Sequence, residues 1–73
     1  METLSHNYTT SEELRNAYHR RGWRVYHPPY VVAGTTSRDI FWSPNATQIL
    51  VVNFNNQTEA ITEASLYTAD EYS

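Results

Sequence analysis

The residues best equipped to do chemistry are gathered between Arg15 and Tyr30. That stretch holds Arg15, Arg20, Arg21 and Arg24, the aromatics Tyr18, Trp23, Tyr26 and Tyr30, and His19 and His27, with no acid among them. A guanidinium is a planar donor that meets a carboxylate or phosphate with two parallel hydrogen bonds. Tyr and Trp bury a large area at low entropy cost and keep one polar handle. These three residue types dominate binding hot spots. Tyr18, Trp23 and Val25 are accounted for as core by the spacing described below. Arg20, Arg21, Arg24, Tyr26 and Tyr30 remain as the candidate partner-binding residues. The acids Glu59, Glu63, Asp70 and Glu71 offer these arginines a second, internal role, as a tail folding back onto them.

Catalytic patterns are missing. His6, His19 and His27 form neither H-x-x-x-H nor H-E-x-x-H, so they read as surface histidines and not as metal ligands. There is no G-x-S-x-G elbow for a nucleophile. Glu12 and Glu13 are explained by helix capping, and the remaining acids by a solvated face. Gly22 and Gly34 stand alone, so no glycine-rich loop cradles a phosphate. The expectation is a protein without catalytic residues, metal or cofactor.

Length and composition narrow the class further. Seventy-three residues make one domain. Without Cys there are no disulfides or thiolate metal sites, which fits a reducing, cytoplasmic setting. No apolar run approaches the roughly 20 residues of a membrane span, and the first residues do not read as a signal peptide. The sequons at Asn7, Asn45 and Asn56 are what a chain rich in Asn, Ser and Thr produces by chance. The net charge of −3 hides a segregation: all eight acids lie outside Arg15–Tyr30, no cation follows Arg38, and there is no Lys. Binders of nucleic acid are usually basic overall and accumulate both kinds of cation.

The elements that must position these residues follow from local signals. Residues 1–9 lack periodicity and are expected to be a flexible arm, followed by a single domain over 10–73. Thr10-Ser11-Glu12-Glu13 is a capping box, with Thr10 accepting from the Glu13 amide and Glu13 reaching back to the Thr10 amide. A helix then runs from Ser11 to Arg21, with Leu14, Ala17 and Tyr18 on one stripe and Gly22 as its left-handed cap. Trp23–His27 alternates as a strand, Trp23 and Val25 facing in, Arg24 and Tyr26 out; Pro28-Pro29 should stop it. Tyr30–Ala33 is a short strand and Gly34 opens a loop. Arg38–Ser43 and Gln48–Phe54 form a central hairpin around Ser43-Pro44-Asn45. Asn55-Asn56 suits a two-residue turn, Thr58–Ala64 a last strand, and residues 65–73 a helical turn or a frayed end. The fold class is α+β, one N-terminal helix packed on a three- to four-stranded antiparallel sheet in α-β-β-β order.

One strand carries a further expectation. In Gln48–Phe54 both alternate sets, Ile49 with Val51 and Leu50 with Val52 and Phe54, are apolar. One face can take the helix, and the other needs the C-terminal segment or a second chain. Leu50, Val52 and Phe54 are therefore expected to form a self-association face, giving a homodimer. The function expected is a small protein-binding regulator or inhibitor that uses its Arg/Tyr face on an acidic partner, away from membranes. The alternative is a binder of single-stranded or phosphate-bearing nucleic acid.

Overall fold

Helix α1 (Ser11–Arg20) forms where its caps predict. Thr10 Oγ1 accepts from the Glu13 amide at 3.2 Å, while the Glu13 carboxylate accepts from the Thr9 amide at 3.4 Å, one residue earlier than the capping box implies. Arg21 is the C-cap, and Gly22 follows at φ +89°. Leu14, Ala17 and Tyr18 are buried, as their spacing requires.

The computed structural model describes residues 1–72. Around α1 the chain builds β1 (Glu2–Thr3), β2 (Arg24–Ala33), β3 (Thr36–Trp42), β4 (Gln48–Asn55), β5 (Ile61–Thr68) and a short helix α2 (Ala69–Tyr72). The five strands make one antiparallel sheet in the order β1-β5-β4-β3-β2. The fold is α+β as expected, but with more strands and a second helix. The extra edge comes from residues 2–3, which pair with Leu66 and Ser65. The Leu4 amide then donates to the Ala64 carbonyl at 2.8 Å. Residues 1–9 thus carry a strand where a flexible arm was expected, because β5 offers main-chain partners that no local pattern announces.

The central hairpin of β3 and β4 is as expected, and its turn has a clear chemistry. Ser43 is buried, and its Oγ accepts from the amides of Thr47 (3.1 Å) and Gln48 (3.0 Å) while donating to Asn45 Oδ1 (2.8 Å). The positive φ falls on Ala46, not on Asn45. Two other expectations need correction. Strand β2 continues through Pro28-Pro29: it is an edge strand, where a missing amide costs no ladder bond, and its register slips between Val25 and His27 and between His27 and Tyr30. The turn after β4 is longer than two residues. Asn55 Oδ1 accepts from the Gln57 and Thr58 amides, Glu59 takes φ 65°, and β5 begins at Ile61.

The sheet has two apolar faces. On one, α1 sets Leu14, Ala17 and Tyr18 against Phe41, Leu50, Val52 and Ala64. Fully burying a side chain of this size stabilises the fold by about 1.5–3 kcal/mol. Leu50 and Val52 therefore lie beneath the helix, and with Phe54, at 0%, 0% and 6% exposure, they offer no self-association surface. The period of two sends their neighbours Ile49 and Val51 to the other face. There they pack with Ile40, and Trp42, Tyr67 and Tyr72 lie against them. The second cover that the two-sided strand demanded comes from the chain's own C-terminal part.

Candidate functional site

The rings on the helix-free face are ordered by strand register. Reading across β2, β3, β4 and β5, one row is Tyr30, Arg38, Asn53 and Glu63. The next is His27, Ile40, Val51 and Ser65, and the third is Arg24, Trp42, Ile49 and Tyr67. Tyr72, brought in by α2, completes an interlocked strip. Tyr26 meets Trp42 edge to face at 5.8 Å and 77°, and meets Tyr72 at 5.8 Å and 86°. Tyr72 in turn meets Tyr67 at 5.3 Å and 62°. Tyr30 packs on His27 at 4.7 Å. Such edge-to-face pairs each contribute about 0.5–1.5 kcal/mol beyond the area they bury.

Two cations sit among these rings. The Arg24 guanidinium lies over Trp42, 4.9 Å from the ring centroid. Arg38 Nε donates to Asn53 Oδ1 at 2.8 Å. The Tyr72 hydroxyl has its pKa pushed up by burial and by the neighbouring Tyr30, against a smaller downward pull from Arg38. Yet Tyr26 stays 49% and Tyr30 36% exposed, so the strip keeps surface for a partner.

The five residues singled out in the sequence are divided between two places. Arg24, Tyr26 and Tyr30 share this face. Arg20 and Arg21 do not: they end α1. Arg21 lies over the Tyr18 ring at 4.9 Å and donates to the Tyr8 hydroxyl at 3.2 Å. A depression of about 270 Å³ adjoins Arg21, lined by Ser5, His6, Asn7, Tyr8 and Tyr18. Val25, expected inside, is 55% exposed, because α1 covers Phe41 on β3 but not its β2 neighbour. The acidic tail also behaves differently from expectation. Arg15, from the basic stretch, meets the strand acid Asp39, its Nη2 2.9 Å from Asp39 Oδ2. Glu71 instead pairs with the Met1 amino group, and Glu59 accepts from Ser11 Oγ at 2.8 Å.

Sequence reasoning missed Arg38, Trp42, Tyr67 and Tyr72. A signal for Tyr67 existed. Ala64 and Leu66 alternate with Ser65 and Tyr67, the period of a strand, in a segment read as tail. Tyr72 had none, since its place depends on α2 folding over the sheet. Among the described residues no three His, Cys, Asp or Glu side chains are grouped so as to hold a metal ion, and no helix is long and apolar enough to cross a membrane. No protein-family model, curated protein or solved structure matches this chain.

Proposed function

We propose that the chain is a small non-catalytic protein-binding module of regulator or inhibitor type, and that it works through the helix-free sheet face. The observation that carries this reading is the strip of Tyr26, Trp42, Tyr67 and Tyr72 with Arg24 laid across it and Tyr30 beside it. Rings locked against one another lose little freedom when a partner arrives, which lowers the cost of association. Arg and Tyr are the side chains that turn such a surface into a hot spot. Arg20 and Arg21 lie outside the face and are dropped from it. Self-association is dropped as well, since the residues assigned to it are buried.

Interleaved arginines and rings also favour a second reading, single-stranded nucleic acid. Base stacking needs flat, free ring faces. Here the rings stand near-perpendicular to one another and Arg24 covers Trp42. Five cations in a chain of net charge −3 give little phosphate attraction. The protein reading stands ahead on both counts.

The test is photo-crosslinking in the cells that make the protein. p-Benzoylphenylalanine in place of exposed His27 should give a discrete protein adduct that weakens when Tyr26→Ala is added. The same probe in place of Glu12, on α1, should give none. Equal adducts at both positions, or none at His27, would overturn the reading.

A further inference from the structure

Resting on that reading, we infer that the face takes an extended acidic segment of its partner, with two carboxylates four residues apart and an aromatic side chain midway between them. The argument begins with the division of charge across the sheet. Arg24 and Arg38 belong to β2 and β3, while Glu63 belongs to β5; in α2 the Glu71 carboxylate is already matched by the Met1 amino group. Glu63 stands two strands from Arg38 in the same row, about 10 Å at the usual strand spacing. An acidic ligand is therefore drawn to the β2–β3 half and away from Glu63 on β5.

The spacing of the two guanidinium groups sets the spacing of the carboxylates. Arg24 stands opposite Trp42, and Arg38 precedes Trp42 by four residues on the same face. Along a strand that is about 13 Å. An extended peptide repeats at nearly the same rise, and its side chains i, i+2 and i+4 point one way. Two carboxylates at i and i+4 then meet Arg24 and Arg38 together, and the side chain at i+2 faces the region of Tyr26, His27 and Tyr30. Both arginines can turn to a ligand. Arg24 is exposed and laid over the Trp42 ring, and Arg38 donates from Nε to Asn53 Oδ1.

The preference for an aromatic midway residue comes from the chain itself. Helix α2 is an acidic segment, Ala-Asp-Glu-Tyr, and the side chain it lays on this face is Tyr72, gripped by the edges of Tyr26 and Tyr67. A second copy of the chain does not present the required segment. Its one pair of acids four apart is Glu59 and Glu63, but Glu59 is bonded to Ser11 and Ile61 packs against the core.

The experiment is an amide chemical-shift titration of the whole protein. The probe is an acetylated, amidated Asp-Ala-Tyr-Ala-Asp peptide flanked by glycines. Shifts should map to Arg24, Tyr26, Tyr30 and Arg38 and spare Arg20 and Arg21. Replacing both aspartates by asparagine, or moving them to adjacent positions, should weaken binding by about fivefold or more. Arg24→Gln and Arg38→Gln, each confirmed as folded by its dispersed spectrum, should each weaken it by a similar factor; Gln can still donate to Asn53. Equal binding of the asparagine peptide, shifts centred on Arg21, tighter binding of a twelve-nucleotide oligothymidylate, or no shift at all would each overturn the inference. A protein adduct at position 27 without peptide binding would leave the binding module standing and remove only the acidic segment. Absence of both would remove the two together.

Discussion

Asp39 is the most deeply placed charged side chain among the described residues, 2% exposed and held by Arg15. Burial raises its carboxyl above the ordinary 3.8, and the Arg15 guanidinium only partly offsets that. A folded-state pKa above the unfolded one means a contribution fully present below pH 3.8 and lost as pH rises through the raised value. Arg15→Met should remove the compensation and destabilise the protein by about 2–4 kcal/mol at pH 7, less at pH 4. Asp39→Asn added to Arg15→Met should recover much of that loss, and urea unfolding at the two pH values measures both effects. Gly22 makes a different local demand. At φ +89° an L side chain is strained, and a Cβ there would lie 3.2 Å from Pro44 Cγ. Gly22→Ala should cost about 1–2 kcal/mol in the same assay. The sequence announced Gly22, through its place after two helix-ending arginines. It did not announce Asp39, because a buried acid looks like a solvated one until its strand is paired.

At the scale of elements, α1 and the β3–β4 hairpin were legible because their determinants are local: a cap, a stripe, a turn. β1 and α2 were not, because each is held by a distant segment. Glu71 shows the dependence. The Met1 amino group, followed by the Thr68 amide, holds its carboxyl down at about 2. The pair is fully formed above the ordinary 4.5 and is lost as pH falls toward 2. Near-ultraviolet tyrosine dichroism should therefore change over that window as α2 loosens, and Glu71→Gln should show the loosened signal already at pH 7. β2 misled for another reason. Two prolines forbid a central strand but suit a free edge, where they and the register slips discourage pairing with other chains. Pro28→Thr with Pro29→Val should restore the missing donors. The double variant should then associate at lower concentration than the parent, as light scattering would detect.

Over the whole molecule the two faces of the sheet divide the work. One is closed under α1, and the other packs a smaller core beneath rings of which Tyr26 and Tyr30 stay partly exposed. Leu50→Ala should cost about 2–5 kcal/mol, the range for emptying a closed core site. Tyr26→Ala, which removes two edge-to-face pairs from a half-exposed ring, should cost about 1–3 kcal/mol and fall more heavily on partner binding. Denaturant midpoints compared with crosslinking yields separate the two. About half of the candidate face was legible in advance. Arg24, Tyr26 and Tyr30 stood out as a local cluster, whereas Arg38, Trp42, Tyr67 and Tyr72 join them only through the pairing of four strands and the placement of α2.

The strand order also sets a timetable. β5 is the last strand in the chain, yet it lies inside the sheet, between β4 and β1. Until residues 61–68 have left the ribosome, β1 has no neighbour and β4 shows a bare edge. The first strand made must wait for the last. Ladders between distant segments are slow to close, since the chain loses loop entropy before contacts reward it. A chain in which β4 has paired with β3 before β5 docks has Leu50, Val52 and Phe54 along a sheet margin. At that stage they are a hazard for aggregation, and the arrival of β5 ends it.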